Sequence, residues 1–121
     1  MQRCRFNNWI VVVLALLSAS CVSAGMPPMQ STQHVFKSMG GVQCADSGSN
    51  LATLTQALEA AGLKVLSASC GTDGRMRAAM CGAPDGRIAI FELAAEDAPA
   101  AAKLGYAALS NLPDAKLAPC K

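Results

Sequence analysis

The residues of this chain that could do chemistry are few: Cys44, Cys70, Cys81, Cys120, His34 and one doubled segment. In that segment Cys70-Gly-Thr-Asp-Gly-Arg75 is followed by Cys81-Gly-Ala-Pro-Asp-Gly-Arg87. Metal ligation, anion binding and turn formation are its three conceivable uses. A zinc site needs close ligand pairs such as C-x-x-C, whereas these cysteines lie 26, 11 and 39 residues apart. The same spacings rule out a thioredoxin-type dithiol. Calcium needs several oxygen ligands, and each segment supplies a single Asp. A phosphate loop opens a helix with its amides aimed at the anion, but both segments lead into strand-forming residues. Asp73-Gly74 and Asp85-Gly86 therefore read as turns, with glycine at positive φ and Pro84 fixing φ early. No metal and no cofactor is expected.

Catalysis has little to work with. A Ser-His-Asp relay would have to run through His34, the one histidine, close to a polar N-terminal arm. Cysteine nucleophiles need a free thiol of low pKa beside a base. No spacing singles out a pair among the carboxylates. A non-enzymatic domain is expected, with a small hydrolase the least favoured reading.

Residues 1–24 have the pattern of a secretory signal. Arg3 and Arg5 precede the nine-residue apolar run Trp9–Leu17, and Val22-Ser23-Ala24 places small residues before a cut at Gly25. The run is shorter than the ~20 residues a bilayer span requires. Cleavage before Cys21 with lipid attachment to its thiol is the rival, although Ser18 stands where lipoprotein signals carry Leu. Loss of residues 1–24 would remove Arg3, Arg5 and Trp9, leaving eight basic against eight acidic residues and three aromatics, Phe36, Phe91 and Tyr106. A neutral chain so poor in aromatics lacks the footprint of a nucleic-acid binder. An exported chain meets an oxidising compartment, so the four remaining cysteines form two disulfides.

The elements that must position these residues follow from periodicity. Residues 25–33 read as a flexible arm and 34–121 as a single domain. His34–Cys44 is a strand interrupted by Gly40-Gly41. Leu51–Ala61 is a helix, with Leu51, Leu54 and Leu58 on one face and Gly62 beyond its end. Lys64–Cys70, Arg75–Cys81 and Arg87–Leu93 read as a three-strand meander, and Glu96–Leu109 as a second helix. Ser110–Lys121 is a tail with a short edge strand. This order gives an α+β fold, two helices packed on one face of a small antiparallel-rich sheet. The alternative drops Arg75–Cys81 as a strand and becomes a ferredoxin-like split βαββαβ with residues 71–86 as one long loop.

In the meander, Val65, Met76, Ala78, Met80, Ile88 and Ile90 share the drier face, assigned to the helices. Leu66, Arg77, Phe91 and Leu93 fall on the other, with Ala68 and Ala89, as a candidate interaction patch. The meander also sets the disulfides. Four cysteines allow three pairings. Cys44 and Cys70 would finish strands at one end of the sheet, and Cys81 would lie about 20 Å away, beside the returning tail. Cys44–Cys70 and Cys81–Cys120 are expected; if residues 71–86 are a loop, Cys70–Cys81 with Cys44–Cys120 is the alternative.

Val42-Gln43-Cys44, Gly62-Leu63-Lys64-Val65, Ser69-Cys70-Gly71, Asp73-Gly74 and Cys81-Gly82 together resemble small exported bacterial proteins of uncharacterised function, over residues 42–109. The resemblance implies an export context and carries no catalytic residue. The expected role is a periplasmic or secreted protein-binding or inhibitor-type module, acting on a protein partner or by self-association. A structural envelope component, or a lipoprotein anchored through Cys21, is the other reading.

Overall fold

Asn50 starts the first helix. In the computed structural model, which describes residues 25–121, its Oδ1 accepts from the Thr53 amide at 2.8 Å and from the Thr53 hydroxyl at 2.9 Å. Helix α1 (Leu51–Ala60) buries Leu54 and Leu58 one turn apart. It stops because Gly62 takes φ +83°. The Gly62 amide then donates to Glu59 O at 2.9 Å and the Leu63 amide to Leu58 O at 3.1 Å, the paired bonds of a Schellman end. The expected signal segment and Cys21 lie outside the described residues.

Five strands form one antiparallel sheet: β1 (Thr32–Ser38), β2 (Ser67–Thr72), β3 (Arg87–Ala94), β4 (Ala107–Ala108) and β5 (Lys116–Leu117). Their spatial order is β4-β1-β3-β2-β5. β3 lies between β1 and β2, with Val35 opposite Phe91 and Cys70 opposite Ala89. Helix α2 (Ala98–Lys103), entered through a 3-10 turn at Ala95–Asp97, joins β3 to β4. The expected α+β class is observed, and its strand order is that of the split βαββαβ alternative with β5 added at one edge.

Leu54 and Leu58 of α1 and Ala101 of α2 pack on one sheet face with Val35, Cys70, Ala89, Phe91, Leu93 and Tyr106. The Tyr106 ring meets Phe91 edge to face at 5.6 Å between centroids. The opposite face carries Ile88 and Ile90, covered by Leu112 with Leu109 and Ala115 of the tail.

Four expectations are corrected. Arg75–Cys81 is not a strand: β3 has two edges, β1 and β2 occupy them, and no edge remains to pair it. The two faces are consequently reversed. Without the meander, Met76, Ala78 and Met80 leave the Ile88 face, and Phe91 and Leu93 lie on the drier side, each 0% exposed. Two of the four expected patch residues are therefore core.

The second helix ends at Lys103 rather than Leu109. Gly105, at φ +87°, repeats the ending at Gly62: its amide donates to Ala102 O, and the Tyr106 amide to Ala101 O, both at 3.1 Å. The chain leaves the helix to bury Tyr106. Lys37 secures this corner, its Nζ donating to Leu104 O at 3.0 Å and lying 4.8 Å from the Tyr106 ring centroid.

The disulfides are Cys44–Cys81 and Cys70–Cys120, with Cα separations of 5.0 and 5.3 Å. Neither expected pairing forms. β1 ends at Ser38, so Cys44 finishes no strand, and β3 separates β1 from β2, putting roughly 10 Å between them. Residues 73–86 fold back instead onto the segment after β1. Val42 bridges Pro84, the Gln43 amide donates to Ala83 O at 2.8 Å, and the Gly82 amide to Gln43 O at 3.1 Å. The tail runs antiparallel to β2, and the Ala118 amide donates to Cys70 O at 3.0 Å, which delivers Cys120. Smaller shifts occur in β1, which begins inside the expected arm at Thr32, and in β2, which starts at Ser67 and continues through Gly71 and Thr72.

Candidate functional site

The doubled sequence is a doubled structure. In Asp73-Gly74-Arg75 the Arg75 amide donates to Asp73 Oδ1 at 3.1 Å; in Asp85-Gly86-Arg87 the Arg87 amide donates to Asp85 Oδ1 at 3.0 Å. The intervening glycines take φ +73° and +76°, so both Asp-Gly pairs turn the chain as expected. They frame one loop, Asp73–Gly86, rather than two hairpins. Its base is closed by the Asp73 amide donating to Gly86 O at 2.9 Å.

Each aspartate also holds a guanidinium. Arg77 grips Asp73 with two bonds, Nη1 to Oδ1 at 2.7 Å and Nη2 to Oδ2 at 2.6 Å. Arg87 Nε donates to Asp85 Oδ2 at 2.7 Å. The Arg77 bonds hold the Asp73 carboxyl below its usual pKa and raise that of Arg77. Burial pushes Asp85 up, but the Arg87 amide and guanidinium, with the charges of Arg87 and Lys121, outweigh it and lower the pKa. Both carboxylates are ionised at neutral pH and already occupied, so neither can serve as a general acid.

Gln43 holds the far side of the loop. Its Nε2 donates to Ala78 O at 3.1 Å and to Pro84 O at 3.4 Å, and its Oε1 accepts from the Met80 amide at 3.1 Å. The Cys44–Cys81 disulfide fixes the next residue on each side. Between these anchors Gly74–Met80, seven consecutive residues, are exposed and without regular structure. Met76, third among them, is fully exposed and Met80, the last, 63% exposed. An open cleft of 570 Å³ flanks the loop, lined by Gln43, Asp73, Arg75, Arg77, Asp85 and Lys116 among others.

Of the expected patch, Leu66 is 46% exposed and Arg77 belongs to this loop, beyond the end of β2 and the start of β3, whereas Phe91 and Leu93 are buried. The four residues do not form a surface. His34 is exposed on β1 opposite Glu92. Among the described residues no three His, Cys, Asp or Glu side chains are placed to hold a metal ion, and no helix is long and apolar enough to cross a membrane. Gln43 is the residue that sequence reasoning missed. Its signal was position, next to a cysteine, and nothing in the sequence distinguishes a glutamine that clamps a distant loop from one facing water.

No protein-family model, curated protein or solved structure matches this chain. The site has to be interpreted from its own geometry.

Proposed function

We propose that this is an exported, non-catalytic binding module whose recognition element is the braced loop Asp73–Gly86. One observation carries the reading: seven consecutive exposed residues, Gly74–Met80, are anchored at one end by the Asp73–Arg77 pair and at the other by Gln43 and a disulfide. A free loop of that length would lose much conformational entropy on docking. Here the loop is held before any partner arrives, which lowers the cost of association. Large apolar side chains at such an apex suit insertion into a partner's pocket. Two disulfides in so small a domain fit an extracellular or periplasmic setting, and residues 1–24 carry the sequence pattern that would deliver it there.

The test is site-specific photo-crosslinking in cells, with the reactive group at Met76 and a control at Ala57, exposed on α1. A discrete protein adduct from position 76 and none from 57 is expected. No adduct, or the same adducts from both positions, would overturn the reading.

A further inference from the structure

We infer that the loop is a substrate-like inhibitor of a serine endopeptidase with an apolar primary pocket, and that Met76 is the side chain entering that pocket. The inference deepens the binding-loop reading and rests on it.

Three features point the same way. The first is how Asp73 serves Met76. Its carboxylate accepts from the Arg75 amide at 3.1 Å and from the Arg77 guanidinium at 2.7 and 2.6 Å. One group thereby fixes the residues immediately before and after a fully exposed large apolar side chain. Met76 makes no side-chain hydrogen bond and carries an unbranched, polarisable chain able to fill an apolar pocket. Protease specificity is read at such a pocket.

The second feature is where the disulfides lie. Cys44 and Cys70 precede the Met76–Arg77 bond, and their partners Cys81 and Cys120 follow it. Cutting that bond leaves two pieces joined covalently twice. β3 also stays paired with β1 and β2, which lie on the other piece. The cleaved domain cannot fall apart.

The third is what Asp73 does to the leaving group. The enzyme's serine oxygen would attack the Met76 carbonyl carbon. The C–N bond to Arg77 would break, and the departing nitrogen would take the proton the serine gave to its base. The products of this step are a Met76 ester on the serine and a free amine on Arg77. Arg77 stays tied to Asp73, so the amine remains beside the ester and can attack it again, re-forming the peptide bond and releasing the serine. Water competes for the same ester, and a tethered amine has a large effective concentration against it. Re-formation by attack of the amine on an ester requires an acyl-enzyme, which metalloproteases using direct water attack do not form. Thiol proteases need a reduced cysteine, out of keeping with a partner compartment that maintains two disulfides. A serine enzyme remains.

The full chain without residues 1–24, with both disulfides formed, is titrated against chymotrypsin and subtilisin, with trypsin as control. Tight inhibition of at least one apolar-pocket enzyme is expected, with slow cleavage confined to the Met76–Arg77 bond. Met76→Arg, at a fully exposed site, should fold normally. It should weaken that inhibition about 30-fold or more, the scale of a lost hot spot, and confer inhibition of trypsin. Asp73→Asn should turn the inhibitor into a rapidly cut substrate. Absence of inhibition by the parent protein, fast cleavage without inhibition, or no change of specificity in Met76→Arg would each overturn the inference. Crosslinking at Met76 to a partner that is no protease would overturn it too, while leaving the binding-loop reading intact.

Discussion

The Tyr106 hydroxyl donates to the Leu54 carbonyl at 2.9 Å, tying the turn that follows α2 to the middle of α1, 52 positions earlier. Both helices are thereby fixed over the same sheet face. Tyr106→Phe keeps the ring contact with Phe91 and loses only this bond. It should lower unfolding free energy by about 1 kcal/mol, measured by urea denaturation with an unchanged m-value.

Phe91 gives the sharper test of which face is inside. Its side chain is 0% exposed, so Phe91→Ala should cost about 3–5 kcal/mol. A variant as stable as the parent, with altered association instead, would restore the opposite assignment of faces.

Disulfide mapping under non-reducing conditions should yield Cys44–Cys81 and Cys70–Cys120 peptides and no others. Replacing Cys44 and Cys81 together by Ala should cost about 4 kcal/mol on chain-entropy grounds. The same change should make residues 74–80 the first site of proteolysis, since only the hydrogen bonds of Gln43 and the Val42–Pro84 bridge would then hold that end.

Acid should loosen the loop before the core. The Asp73 and Asp85 carboxyls are depressed below 3.8 in the folded chain, so the unfolded chain takes up protons that the loop resists. Their stabilising contribution is therefore fully present above about pH 4 and is lost as pH falls through the lower folded values. The amide resonances of Arg75 and Arg87, which donate to these carboxylates, should titrate with midpoints below 3.8. Midpoints at or above that value would show the pairs unformed in solution.

Gly71 is packed, not turned. A Cβ there would lie 2.6 Å from Lys116 O and 2.9 Å from Ile90 Cδ1, so Gly71→Ala must push β5 off β2. It should destabilise by about 1–3 kcal/mol and raise hydrogen exchange at Ala118, whose amide donates to Cys70. Gly62→Ala meets no neighbour within 4 Å and should cost only the left-handed conformation, about 1–2 kcal/mol, without touching the tail.

What could be read from the sequence was local. Leu54 and Leu58 one turn apart, closed by Gly62, specified α1, and Ile88, Ile90 and Phe91 specified β3. The alternation of Arg75 to Cys81 has the period of a strand, yet pairing depends on a free sheet edge, which no seven-residue window contains. That misreading carried the face assignment with it, and the disulfides were missed also because β1 stops at Ser38, short of Cys44. Gly105-Tyr106 repeats the logic of Gly62-Leu63 and could have marked the end of α2. The candidate site was visible as a repeat, but its bracing depends on Gln43, some 35 residues from the atoms it holds.

The outermost strands of the sheet, β4 and β5, are two residues each. An open sheet normally exposes a row of amides and carbonyls at each side on which another chain can add. Here the outermost strand at each flank offers a row of only two residues, and Cys120 pins the tail just beyond β5 to Cys70 of β2. A strand adding at either outermost strand would find only two residues to pair with. The exposed backbone that remains open to another protein is then that of the Gly74–Met80 loop rather than a long sheet edge.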